Sequence, residues 1–219
     1  MKKILFILLA CVSSYAYSQI DSFDFGVIGG PGLSIQYGNY SLKSERAVAP
    51  RGTAGIFIQY TFNKYLSLAG DISFCQEGGN LRSGNTPAKD LYFAYHLNYL
   101  RVPLLLRFGG GNKVHVYGLA GPYVGIFLNG TGGRNGNFAG TVIENVYPIY
   151  YKRLDGGVSL GAGLSVPFAK RLAFICEVRN NVGLVNVDSQ GNPGQINSTT
   201  KNYSCVFLVG ASYKIGFKS

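Results

Sequence analysis

The segment LDGGVSLGAGLSV, Leu154 to Val166, alternates without a break. Leu154, Val158, Leu160, Ala162, Leu164 and Val166 fall on one face of an extended chain. Asp155, Gly157, Ser159, Gly161, Gly163 and Ser165 fall on the other. A period of two marks a β-strand with two unlike environments. The same pattern recurs along the chain. Phe25, Val27, Leu33, Ile35 and Tyr37 oppose Asp24, Gly26, Gly30, Ser34 and Gln36. Ala54, Ile56, Ile58, Tyr60 and Phe62 oppose Thr53, Gly55, Gln59 and Thr61. Leu66, Leu68, Ile72 and Phe74 oppose Ser67, Asp71, Ser73 and Cys75. Phe174, Cys176 and Val178 oppose Glu177, Arg179 and Asn181, and a last apolar row runs from Cys205 through Tyr213 to Phe217. With strands at Tyr99 to Phe108 and Val114 to Asn129, eight are expected.

Their connections alternate in length. Short ones fall at Asn63-Lys64, Gly109 to Lys113 and Pro167 to Arg171. Long, polar, glycine-rich ones fall at Gly38 to Pro50, Gly79 to Leu91, Gly130 to Arg153 and Asn186 to Lys201. Short turns at one end and long loops at the other are what an up-and-down antiparallel barrel produces. The expected fold is all-β: an eight-stranded antiparallel up-and-down transmembrane β-barrel.

A soluble barrel with its apolar face inward would give the same alternation, so side-chain chemistry has to choose the face. Charged residues are 14% of the chain, too few for a water-facing outer wall rich in Lys and Glu. The polar rows hold glycine, serine and mid-strand charges. The apolar rows end in aromatics: Phe25, Tyr60, Phe62, Tyr213 and Phe217 near the short turns, Tyr37 and Tyr203 near the loops. Aromatic girdles at two membrane interfaces explain that placement. The apolar rows are therefore expected to face lipid.

Upstream of the barrel, MKKILFILLACVSSYAYSQ has a basic start, an apolar stretch and the small-x-small site Ala16-Tyr17-Ser18. This reads as a secretory signal over residues 1–18, cleaved near Ser18/Gln19, with one barrel domain over 19–219. Without Lys2 and Lys3, 18 basic residues face 10 acids, so the remaining chain is strongly basic. Export and the lack of a basic cluster interleaved with aromatics exclude nucleic acid as the expected partner. Lipid phosphates, lipopolysaccharide among them, suit loop residues such as Lys43, Lys89, Lys152 and Arg153. Cys75, Cys176 and Cys205 are an odd, scattered set with neither a disulfide framework nor a CxxC metal spacing.

Arg101 and Arg107 stand inside the apolar run YLRVPLLLRF. On a strand, alternate residues face the lumen, whereas a lipid-facing arginine at the midplane costs about 2–4 kcal/mol. Arg101 is therefore expected inside, paired with Asp71, Asp155 or Glu177, while Arg107 is placed at the headgroup boundary. Pro103 cannot donate to a ladder, so a bulge or broken pairing is expected there. His96 and Asn98 read as lumenal on even parity and Arg101 on odd, which a one-residue bulge between them would reconcile. The expected structural lumen network is Asp71, Arg101, Asp155, Glu177 and Arg179. A gated ion path is the functional alternative to a plug, but eight strands leave an interior just wide enough for side chains.

YLRVPLLLRF, VYGLAGPYVG, LDGGVSLGAG and the closing ASYKIGF together resemble the PorT-like outer-membrane β-barrel proteins of Bacteroidota. The resemblance covers essentially the whole barrel. It implies the outer membrane of a Gram-negative bacterium, with both chain ends in the periplasm. Some relatives are linked to protein secretion across that membrane, and secretion-machinery or surface proteins are the partners it implies. Where that family often has an acid before the apolar-Pro pair, this chain has Arg101.

No residue is assigned to catalysis. Lipid A deacylase barrels use His-x-Ser, whereas here the segments are His96-Leu97-Asn98 and His115-Val116-Tyr117. A histidine base needs a nucleophile within hydrogen-bond reach. Gly109-Gly110-Gly111-Asn112-Lys113 lacks the Ser or Thr and the helix of a phosphate-binding loop. Two distant histidines make no zinc set. No cofactor is expected. The reading is a non-enzymatic envelope barrel whose loops bind partners or shape the cell surface, with a secretion accessory as the alternative and a lipid-modifying enzyme behind both.

Overall fold

A computed structural model describes residues 22–38, 44–83, 92–138, 141–149, 151–188 and 199–216. The expected signal over residues 1–18, Phe217, Lys43 and Lys89 lie outside the described residues. The strands are β1 (Ser22–Tyr37), β2 (Ser44–Ala47), β3 (Ala49–Thr61), β4 (Leu66–Ser83), β5 (Tyr92–Gly110), β6 (His115–Phe138), β7 (Thr141–Pro148), β8 (Leu154–Pro167), β9 (Leu172–Gly183) and β10 (Lys201–Gly216). The eight long ones each pair antiparallel with the long strands before and after them, and β1 pairs with β10 to close the ring. This is the expected eight-stranded up-and-down barrel. Closure leaves the long strands without a free edge through the barrel wall.

Side-chain direction follows the alternation. Val27, Leu33, Ile56, Ile58, Ile72 and Phe74 are exposed on the outer wall, as are Val102, Leu104, Leu106, Phe108 and Leu160. Asp71, Ser73, Asp155, Ser159, Glu177 and Asn181 are buried inside. On β5 the outward apolar residues run from Leu100 to Phe108, ~27 Å of strand at the extended-chain rise. At the usual tilt that gives a band on the order of 20 Å tall, close to the apolar band of outer-membrane barrels. Gln76, Asn98 and Asn129 end the band at the loop side. Asn98 Nδ2 donates to Asn129 Oδ1 at 2.7 Å on the exposed outer wall.

At the turn side, Phe23, Tyr60 and Phe62 form a girdle, with ring centroids 4.9 Å apart from Phe23 to Tyr60 and from Tyr60 to Phe62. The lumen also holds apolar side chains, including Ile28, Phe57, Ile175 and Leu208. Their parity places them on the inner row, so the interior is a mixed core rather than a polar one.

Three expectations about strand ends and register need correction. The loop-side strands continue past the apolar band: β4 runs to Ser83, β6 to Phe138, and β7 folds back on β6 with Thr141 opposite Phe138. Part of the expected loop Gly38 to Pro50 is also strand, in β2 and the start of β3. Polar, glycine-rich composition reads as loop, but sheet pairing persists above the membrane where neighbouring strands supply the hydrogen bonds.

His96 and Asn98 do not face the lumen, because β5 keeps odd residues inward from Leu97 to Arg107. The register does slip at Asn98/Tyr99, between the residues that parity brackets. The inserted residue is Leu128 of β6, since Asn98 opposes Asn129 and Tyr99 opposes Phe127.

At Pro103 the ladder is interrupted as its missing N–H requires. The β4–β5 pairing skips from Gly70↔Leu104 to Ser73↔Arg101. The β5–β6 turn closes through Gly111 at φ 139°, where an added Cβ would sit 1.9 Å from the Val114 carbonyl oxygen. Only glycine fits such a conformation without strain.

Candidate functional site

Among the described residues, alternation buries seven charged side chains in the lumen: Asp71 and Glu77 from β4, Arg101 and Arg107 from β5, Asp155 from β8, and Glu177 and Arg179 from β9. Each is at most 4% exposed, so none can rely on bulk water. A buried charge without a partner costs several kcal/mol. The arrangement answers that demand in two clusters along the barrel axis.

The cluster nearer the turns is built on Glu177. Its carboxylate accepts from Arg107 Nη2 at 2.9 Å, Arg179 Nε at 2.8 Å and the Tyr117 hydroxyl at 3.1 Å. Arg179 Nη1 reaches across the barrel to Asp71 Oδ2 at 2.7 Å, and Ser73 donates to Asp71. Arg107 Nη1 donates to Gln59 Oε1 at 2.6 Å, and its guanidinium lies 4.8 Å from the Tyr117 ring centroid. Asp71, Glu177 and Arg179 therefore sit together.

Arg107 joins them. The placement at the headgroup boundary is wrong because Arg107 shares the odd, inward parity of Arg101. In the lumen it meets the Glu177 carboxylate and the Gln59 amide.

The second cluster lies towards the loops and is built on Glu77, which the sequence reading did not nominate. Glu77 Oε1 accepts from Arg101 Nη2 at 2.5 Å and from Ser204 Oγ at 2.9 Å, while Oε2 accepts from Ser34 Oγ at 2.7 Å. Arg101 also packs 4.5 Å from the Tyr123 ring centroid. Hydrogen bonds continue from Ser204 to Asn181 and on to Ser159, crossing β10, β9 and β8. Asp155 stands apart from Arg101. It accepts from the Gly156 amide at 2.7 Å and from Asn202 Nδ2 at 3.1 Å. The expected pairing of Arg101 with Asp71, Asp155 or Glu177 is thus replaced by Glu77, two residues beyond Cys75 on the same inward row.

Glycine makes room for the rings that pack against these arginines. A Cβ on Gly163 would meet the Tyr117 ring and hydroxyl at 2.7 Å, and one on Gly157 would meet the Tyr123 ring at 2.7 Å. A Cβ on Gly26 would lie 2.4 Å from the Phe57 ring. Each of these inward glycines faces an aromatic ring from a neighbouring strand. The pairing fills a narrow lumen with side chains, as eight strands require.

Beyond the polar row that ends the apolar band, His96 is held below the usual imidazole range, first by partial desolvation and then by the positive charge of Arg51. Arg51 itself ties strands together at this end, donating to the Glu77 and Tyr95 carbonyls at 3.0 and 2.7 Å.

Residues 36–189 match the family described as outer membrane protein beta-barrel domain. No curated protein matches the chain. Among solved structures, the outer membrane protein OprG of Pseudomonas aeruginosa is similar over 90% of this chain and 97% of its own, with a TM-score of 0.50 and 13% identity. A major outer membrane protein of Thermus thermophilus covers 88% of this chain and 99% of its own, at a TM-score of 0.49 and 12% identity. The attachment invasion locus protein Ail of Yersinia pestis covers 90% and 100%, at a TM-score of 0.44 and 14% identity. At these identities the likeness is one of fold.

Proposed function

Because this chain belongs to the outer-membrane protein β-barrel domain family, we propose that it works as a sealed, non-enzymatic barrel of the outer membrane, one that presents its loop-end sheet to partners or to the cell-envelope surface. One observation carries the reading: the structure invests in strand beyond the apolar band at the loop end and in short turns at the other. From Asn129 to Phe138, β6 continues for ~30 Å of strand past the band, on the order of 20 Å in height at the same tilt, with β7 paired along it. Outer-membrane barrels keep short turns in the periplasm and long loops outside. The projecting sheet is then the surface that faces the medium.

The lumen supports a plug rather than a path. Its charges are tied to one another, to ring faces or to amides. A fixed ion network leaves no mobile hydrated charge, and a general base engaged in two ion pairs is not free to act. Purified chain reconstituted in planar bilayers is expected to give no stepwise conductance. Regular single-channel steps would replace this reading with a pore. Photo-crosslinking in intact cells from residues 146–149 tests the surface role. Capture of an extracellular or envelope partner supports it, and capture of lipid alone restricts the role to the envelope. Capture of secretion components would favour the accessory role that the PorT-like resemblance suggests.

A further inference from the structure

The short-turn end carries a second, independent feature. Below the Glu177 cluster the barrel opens into a cavity of about 400 Å³, lined by Lys64, Lys170, Lys214, Asp24, Gln59 and Arg107 among others. That volume lies within the ~300–1,000 Å³ range of small-molecule sites. Its roof is closed: Arg107 is held by Glu177 and Gln59, and Phe57 and Ile175 fill the space beside it. Asp71 and Glu177 balance Arg107 and Arg179, so the buried charges behind the roof cancel. What remains at the mouth is positive.

Lys64, Lys170 and Lys214 make no ion pair among the described residues. Asp24 is the carboxylate that lines the cavity with them. Arg171, also at the rim, is turned to the outer wall, where it donates to the Tyr213 hydroxyl at 2.9 Å. Asp24 stands opposite Lys214 across β1 and β10, and Lys64 Nζ lies 4.8 Å from the Tyr65 ring centroid. The mouth therefore holds both signs with positive charge in excess, and that excess draws an entering counter-ion. Lysine ammoniums on flexible stems bind phosphate as point charges.

We propose that this vestibule is a binding site for a small phosphate-bearing anion approaching from the turn side. Lys64, Lys170 and Lys214 line its mouth, and the Arg107 roof stops the anion from passing through. The site lies at the opposite end from the projecting sheet and owes nothing to the surface role proposed above. Two sources offer this chemistry: a free phosphate compound, or the headgroup of an anionic lipid folded into the mouth.

The test titrates inorganic pyrophosphate into the full chain in phosphatidylcholine nanodiscs, followed by calorimetry. Saturable one-site binding is expected, weakened at least about tenfold in Lys64→Gln/Lys170→Gln/Lys214→Gln. The loop-end variant Lys152→Gln/Arg153→Gln/Lys201→Gln should bind as wild type. All six lysines and arginines changed are exposed or half-buried. Both variants should keep the folded chain's heat-modifiable migration, which certifies the comparison. A non-saturable isotherm, or equal weakening by both variants, overturns the proposal. Repeating the titration with phosphatidylglycerol in the disc separates the sources. Unchanged affinity supports a free anion. Affinity lowered by the lipid in the wild type, with the turn-end variant unaffected, supports a headgroup.

Discussion

Removing Arg101 should destabilise the barrel through Glu77 rather than through the arginine itself. Arg101 Nη2 lies 2.5 Å from Glu77 Oε1, and the two side chains are 3% and 1% exposed. At an effective dielectric of about 20, unit charges ~4 Å apart attract by ~4 kcal/mol. The guanidinium over Tyr123 adds a desolvated cation–π contact of up to about 2 kcal/mol. Arg101→Met keeps most of the volume but leaves Glu77 buried with only two serine hydroxyls to hold its charge. Breaking one side of a buried pair costs about 3–5 kcal/mol.

Glu77→Gln strands Arg101 and should cost a similar amount. The double variant Arg101→Met/Glu77→Gln removes both charges, and the introduced glutamine can still bond Ser34 and Ser204. Its cost should fall below the sum of the singles by about 3 kcal/mol. The chain has no tryptophan, so the folded fraction is best read from the band shift on unheated gels along a urea series in lipid vesicles. Single costs below about 1 kcal/mol, or costs that add within about 0.5 kcal/mol as those of independent sites do, would refute the ion-pair account.

Other consequences follow from the same geometry. Leu104→Arg, on the lipid face of β5, should cost about 2–4 kcal/mol. Ser159→Thr, on the inner face of β8, should cost far less, both by the same vesicle assay. Gly163→Val drives a side chain into the Tyr117 ring and should cost about 1–3 kcal/mol as overpacking; Gly163→Val/Tyr117→Leu should recover part of it. Partial burial and Arg51 depress the His96 imidazole, so its NMR titration midpoint should lie below the ordinary ~6.5. Arg51→Met should move that midpoint up. Because the unfolded chain binds the proton more readily, the His96 contribution to stability is present above the unfolded value and fades as pH falls through it.

The barrel is legible because its two strongest signals agree: period two along each strand and alternation of short with long connections. Both are set by the membrane, which demands an apolar row and a closed hydrogen-bonded ring. The inner network is legible where strand assignment is complete. Asp71, Glu177 and Arg179 lie on rows that the alternation already turns inward. Glu77 escapes because the row is stopped at Cys75, when two further residues would reach it. Arg107 is misplaced although it differs from Arg101 by an even number of residues, so parity alone would put it inside. The bulge at Leu128 leaves no clear mark, since it changes the parity of β6 while the parity clue lies on β5. Strand beyond the membrane is hidden for a physical reason. There no lipid demands an apolar row, the alternation fades, and pairing rests on backbone hydrogen bonds that sequence does not display.

The claim on which the rest stands is that the apolar rows meet acyl chains. Spin labels placed singly at residues 158 to 164 of β8, in proteoliposomes, report it through relaxation by oxygen, which partitions into lipid, and by a polar nickel chelate. Labels at Val158, Leu160, Ala162 and Leu164 should show high oxygen and low nickel accessibility, with Ser159, Gly161 and Gly163 low in both. Nickel accessibility at Leu160 and Leu164, or an oscillation of the opposite phase, would contradict the account.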